Sequence, residues 1–186
     1  MSSLTKFILS ISIQFLIIFF IIIFKLFILT NGAEVLLKIE PVDPINPLRG
    51  DYITFQYSNI SNLNQYDDQG REIKNGDIVY VILRQGQEYW ELSSVSKSKP
   101  KGGQLYLAGR VESGGVDSLS NKLPNQDPLL KEALIHVVYG VEQYFVAEGK
   151  GRDFSFSDKE ASAKIFIDNN GNGVLKHIYI DSKIWP

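Results

Sequence analysis

Tyr52-Ile53-Thr54-Phe55-Gln56-Tyr57-Ser58 alternates apolar and polar side chains at every step. Successive side chains of a strand point to opposite faces, so this period of two is the pattern of a half-buried β-strand. Arg49-Gly50-Asp51 precedes it. Glycine permits a tight turn, and an aspartate can accept hydrogen bonds from the turn amides. The same device recurs at Asn75-Gly76-Asp77, followed by Ile78-Val79-Tyr80-Val81-Ile82-Leu83. That run is continuously apolar, which predicts a central strand.

Working outward, further strands are expected at 35–42, 89–95, 104–112, 135–139, 163–168 and 174–181, rich in β-branched and aromatic residues. The last two flank Asp168-Asn169-Asn170-Gly171-Asn172-Gly173, a strong hairpin signal. This string also opens like a calcium loop, but its twelfth position is Tyr179 rather than a bidentate glutamate. Helix signals are few. Asp127-Pro128 starts one short candidate through Leu134, and Glu142 to Val146 is a second. Asn59 to Asn75 and Ser113 to Gln126, rich in Asn, Ser, Gly and Asp, are expected as mobile loops.

The N-terminal end is different in kind. Phe7 to Phe24 is almost entirely Ile, Phe and Leu, interrupted by Ser10, Ser12 and Gln14. Taken as Phe7 to Leu29, the run makes roughly 35 Å of helix at about 1.5 Å per residue. A hydrocarbon core is about 30 Å thick. Lys25 is placed to snorkel toward headgroups. The run is too long for the apolar part of a secretory signal, and Asn31-Gly32-Ala33 is a poor cleavage site. The reading is a retained anchor over residues 1–33 and a β-rich domain over 34–186. The domain is mainly β, barrel- or sandwich-like, with one or two short helices; α+β is the alternative. A short N-terminal tail favours the N-terminus inside and the domain in an extracytoplasmic, periplasm-like space. The absence of cysteine rules out a disulfide framework.

Removing Lys6 and Lys25 from the 19 basic residues leaves 17, against 21 acidic ones. A near-neutral, slightly acidic domain is a poor nucleic-acid binder. His136 and His177 are the only histidines, without the spacing of a zinc site. No nucleophile motif is present. The expectation is therefore no cofactor, no metal and no catalytic residue.

The segment Tyr139-Gly140-Val141-Glu142-Gln143-Tyr144-Phe145-Val146-Ala147-Glu148-Gly149-Lys150-Gly151-Arg152 gathers carboxylates, aromatics and cations. Together with Pro41-Val42-Asp43-Pro44 and Leu48-Arg49-Gly50-Asp51-Tyr52, it resembles the bacterial GDYXXLXY family of membrane-anchored proteins. Phe55 stands where the family name has Leu, and Ala147 where Pro is common. The resemblance covers most of residues 35–181. It implies the same layout, an anchor and then a β-rich envelope domain, without an established activity. It also implies an association with multi-spanning membrane proteins, beside which such proteins are often encoded. A likeness to signal peptidases fails because residues 31–57 contain no serine.

Two functions follow as expectations. The first is a non-catalytic binding or assembly partner of another membrane protein, held in the lipid bilayer. Its contacts would be Arg49, Asp51, Tyr52, Glu142, Tyr144, Glu148 and Arg152. The second is an envelope hydrolase using Asp51, Glu142 and Glu148, which requires those carboxylates to converge.

Overall fold

The computed structural model describes residues 2–41, 52–114, 134–145 and 159–185. Helix α1, Ser3–Asn31, is long and apolar enough to cross a membrane, and none of its most apolar window is buried. Its last turn is a different environment. Ile28 is fully buried, and α1 packs on two strands introduced below, β9 and β10. The terminal carbonyls, which lack partners within the helix, are met by polar side chains. Thr30 Oγ1 donates to Leu26 O at 3.0 Å, and Asn31 Nδ2 to Phe27 O at 3.2 Å. Gly32 is the sole residue between α1 and the first strand. A side chain there would meet Ile28 O at 2.6 Å and Ile167 O at 3.0 Å, so the helix approaches the sheet backbone as closely as glycine allows.

Eleven strands follow among the described residues: β1 Ala33–Pro41, β2 Tyr52–Tyr57, β3 Asn62–Asn64, β4 Ile78–Gln85, β5 Trp90–Ser96, β6 Tyr106–Gly114, β7 Leu134–Val138, β8 Gln143–Phe145, β9 Ala161–Ile167, β10 Gly173–Ile180 and β11 Lys183–Trp185. They form two curled sheets, each a half-barrel. One has the order β11-β10-β9-β1-β2-β8 and the other β3-β7-β6-β4-β5. All pairings are antiparallel. Between the sheets lies one core cluster that includes Val35, Leu37, Phe55, Tyr57, Val81, Leu107, Val137 and Ile165. In β2, Ile53, Phe55 and Tyr57 are buried while Thr54 and Gln56 are half-exposed, as the alternation predicts. β4 is an interior strand, as its apolar run predicts.

The glycine–aspartate device works as expected at its second copy. Gly76 has φ +86°, and Asp77 Oδ2 accepts from Lys74 N at 2.9 Å just before β4 starts. The first copy, Gly50-Asp51, lies outside the described residues. The 168–173 string is a hairpin turn. Asp168 Oδ1 accepts from the amides of Asn170 and Asn172, and Oδ2 from Asn172 Nδ2. With both oxygens turned to the chain itself, and strands rather than helices on its flanks, the turn is built as a β-connection and not as a calcium loop.

Three expectations change. Gln143–Phe145 is strand, not the start of a helix, because it pairs with β2 through Tyr52↔Phe145 and Thr54↔Gln143. The segment 59–75 is built into the fold rather than mobile. It contains β3, and Ile60, Leu63 and Ile73 enter the core. Its turn closes on Asp67, whose side chain is fully buried. That carboxylate accepts from the amides of Gln69 and Arg71 and from Arg71 Nε, and Arg71 completes an ion pair at 2.6 Å. Burial alone would raise the Asp67 carboxyl; the Arg71 guanidinium and the surrounding amides outweigh it and hold the group down at about 2. The third change is β11, a short C-terminal edge strand that the sequence reading did not anticipate. The helix expected from Asp127 and the loop from Ser113 lie largely outside the described residues.

Candidate functional site

The described parts of the two distinctive segments, 52–58 and 139–145, meet in space. β2 runs into β3 through a bend at 58–61, and β7 runs into β8 through a bend at 139–142. β2 pairs with β8 in one sheet and β3 with β7 in the other. The two chains therefore form one antiparallel ribbon that passes from sheet to sheet. Backbone bonds continue through the corner: Val137 N donates to Ser61 O at 2.8 Å, and Phe55 N to Glu142 O at 3.1 Å.

At the corner the ladder is completed by side chains. Tyr57 Oη donates to Val141 O at 2.8 Å, and Tyr139 Oη donates to Ile60 O at 2.5 Å. Each tyrosine thus satisfies a carbonyl in the bend of the opposite chain. Their rings meet edge to face at 6.1 Å, and Phe55 stacks on Tyr57 in the same way at 5.6 Å. Such pairs add about 0.5–1.5 kcal/mol beyond area burial. Gly109 of β6 makes room for Tyr139, since a Cβ there would lie 2.7 Å from the ring. Burial pushes both phenols well above their ordinary value, with the Glu142 charge adding to the effect. Both therefore stay protonated donors.

Glu142 closes its own bend. Its Oε1 accepts from Tyr139 N, and its Oε2 accepts from Val141 N at 2.8 Å. Gly140, at φ +77°, turns the chain so that these amides point inward. Burial raises the Glu142 carboxyl above its ordinary value, and the amides of Tyr139, Glu142, Val141 and Gly140 pull it back only in part.

On the outer side of the ribbon is a cleft of about 420 Å³. Thr54, Phe55 and Gln56 of β2, Gln143 of β8, His136 and Val138 of β7 and Glu112 of β6 line it, with Ser61, Gly140 and Glu142 from the two bends. It spans the seam between the two half-barrels. His136 is held there by Asn62, 3.1 Å from Nδ1 to Oδ1.

The family model that matches this chain, GDYXXLXY protein, covers residues 14–178. The chain belongs to the GDYXXLXY family. No curated protein and no solved structure matches it. In this GDYXXLXY protein the string that gives the family its name runs from Gly50 to Tyr57, with Phe55 in the Leu position. Of the positions that the family name specifies, Phe55 and Tyr57 have described side chains, and both belong to the inner face of the ribbon.

Of the residues expected to make contacts, Arg49, Asp51, Glu148 and Arg152 lie outside the described residues. Tyr52 is placed by its backbone, opposite Phe145. Glu142 reaches the cleft, but its oxygens are turned to its own bend. Tyr144 faces the core side and packs on Trp185, with ring centroids 6.2 Å apart. Sequence reasoning did not select Gln56, Glu112 or Gln143. The alternation of β2 already put Thr54 and Gln56 on the polar face, whereas the sequence shows His136 only as a residue of a β-rich run. That face became a site only once pairing across the corner was known.

Proposed function

We propose that this GDYXXLXY protein is a membrane-anchored, non-catalytic β domain that receives an extramembrane segment of another membrane protein in the cleft. The cleft is the observation that carries this reading. It is a concave, hydrogen-bonding surface on a ribbon whose other face is locked into the core, so it is held in shape before a partner arrives. A lining that mixes apolar surface with the polar groups of Thr54, Gln56, Glu112, His136 and Gln143 suits a peptide loop, which brings side chains as well as backbone donors and acceptors.

In this reading α1 is a retained anchor in a bacterial envelope membrane, with the N-terminus inside and the β domain in the periplasm-like space. Three observations support retention. Ile28 is buried against the β domain, Gly32 sits tightly on Ile167, and Ala33 already pairs with Ile167 in the sheet. Cleavage after Ala33 would cut inside a strand. A one-residue junction also tethers the β domain directly to α1, which in this reading makes membrane proteins its neighbours at high effective concentration.

The envelope-hydrolase alternative loses its best-described carboxylate. Both Glu142 oxygens hold amides of their own bend, the arrangement of a turn clamp rather than of a proton-transfer group.

The test is co-purification of the full-length protein in mild detergent after light cross-linking, with bound proteins identified by mass spectrometry. Wild type should retain a stoichiometric membrane protein, and Gln143→Ala and His136→Ala should lose it while remaining folded. Equal capture by wild type and both variants would remove the cleft from the reading.

A further inference from the structure

Gln14 has no role in the β domain, and it stands in the worst place for an amide. Lys25 is exposed on α1, and Ile28, one turn further on, is buried where the helix packs on β9 and β10. The bilayer surface therefore falls near Lys25. Gln14 lies eleven residues before Lys25, about 16 Å at a rise of 1.5 Å per residue. That is the midplane of a hydrocarbon core about 30 Å thick. Gln14 is exposed along the helix, as are the Ile, Phe and Leu residues around it. An amide at that depth has two donors and an acceptor and no water to satisfy them.

The helix period fixes which way this residue points. Ile28 faces β9 and β10. Ser10 is eighteen residues before Ile28, about five full turns, and Gln14 is fourteen before it, just under four turns. Ser10 and Gln14 therefore share the side of α1 on which the β domain sits, whereas Ser12 falls on the opposite side. A second copy that docked on this face would bring its own β domain to the same place, directly over the shared axis, and the two domains would collide. The geometry suits a helix that stops at the membrane surface, as a helix does when a short loop joins it to the next span.

We propose that Ser10 and Gln14 form a hydrogen-bonding seam for one transmembrane helix of a multi-spanning membrane protein, seated beneath the β domain. The occupant carries a side-chain donor or acceptor at mid-bilayer depth, to which the donors and acceptor of the Gln14 amide can bond. Interhelical hydrogen bonds of this kind are an established means of association within membranes. This goes beyond the cleft, since it concerns a separate surface and a contact inside the bilayer.

The experiment places a photo-crosslinking amino acid at Ile17, one turn from Gln14 on the same face, in the full-length protein in its native membrane. A control carries it at Phe19, on the opposite side. Adducts are mapped by mass spectrometry. The expected result is an Ile17 adduct within an apolar span of a multi-spanning protein, absent from the Phe19 control. Gln14→Leu should cut that adduct about tenfold, the scale of one interhelical hydrogen bond. Gln14→Asn should retain most of it. Leucine makes α1 more apolar, so loss of the adduct cannot come from failed insertion. An adduct to a second copy of the chain would overturn the proposal in favour of self-association. Equal adducts from both positions, an unchanged adduct in Gln14→Leu, or none at all would also overturn it. The cleft variant Gln143→Ala separates the two readings, because the intramembrane adduct should survive it even if capture through the cleft fails.

Discussion

The two faces of the bent ribbon are made from the same few residues and have opposite chemistry. Its inner face carries Phe55, Tyr57 and Tyr139, with Tyr57 almost completely buried and both hydroxyls committed to carbonyls across the corner. Its outer face carries Thr54, Gln56, His136 and Gln143, all half-exposed or exposed and lining a cleft. Alternate residues of one strand thus serve two purposes. The inner ones fix the path of the chain from one sheet to the other, and the outer ones inherit a fixed arrangement. In this protein the distinctive aromatic positions are architecture, and the less distinctive polar positions between them are the candidates for contact.

The sharpest break in that contrast is Tyr57→Ala. It removes a large buried ring and a corner hydrogen bond together, and should cost about 3–5 kcal/mol, read as a lower denaturant midpoint. Gly109→Val attacks the same corner from β6. Its side chain would enter the space of Val137 and the Tyr139 ring, and overpacking of this kind costs about 1–3 kcal/mol.

Asp67 and Glu142 extend the comparison to two turn-closing carboxylates. Both hold backbone amides, but only Asp67 has a guanidinium. Asp67→Asn should destabilise by roughly 1.5–3 kcal/mol, the range for losing a hydrogen bond to a charged group. The two groups should also depend on pH with opposite signs. The Asp67 carboxyl is lowered from 3.8 to about 2. Its stabilisation is fully present above the unfolded value and is lost as pH falls toward 2. The Glu142 carboxyl is raised from 4.5. Its contribution is fully present below 4.5 and is lost as pH rises through the folded value. Unfolding free energies measured across pH 2–7 should therefore show a flatter acid limb in Asp67→Asn. Glu142→Gln should lose the decline that accompanies Glu142 ionisation. Equal pH profiles in wild type and both variants would refute the assignment.

The smallest expected effect lies on the outer face. His136→Ala and Gln143→Ala should each change stability by no more than about 0.5 kcal/mol, as surface substitutions usually do, while abolishing partner capture. A loss of several kcal/mol would merge the two faces and end the contrast.

Strands with a clear period were legible from the sequence. Tyr52–Ser58 announces itself by alternation, and Asp168–Gly173 by turn chemistry. The three-residue strands were not, because Asn62-Leu63-Asn64 and Gln143-Tyr144-Phe145 carry too few positions for a period to show. Their partners decide them. Pairing with β2 overrides the helical reading of Glu142 onward, and pairing with β7 draws the Asn-rich segment at 59–75 into the core. Glu142 was visible as a carboxylate beside aromatics, but spacing does not reveal that Gly140 turns the chain so that the carboxylate meets its own amides. The cleft was illegible for a related reason: its lining comes from β2, β6, β7 and β8, up to 89 residues apart between Thr54 and Gln143. The long apolar helix was legible from composition alone, but its docking through Ile28 and Gly32 was not.

The most direct test of the corner is a double-mutant cycle on its two hydroxyls. Tyr57→Phe, Tyr139→Phe and the double variant would be compared with wild type by urea unfolding. If the two tyrosines staple one shared bend, the first loss lets the corner relax and the second costs less, giving a coupling of about 0.5–3 kcal/mol. Losses that add within about 0.3 kcal/mol would mean that the two segments act independently, which contradicts the account.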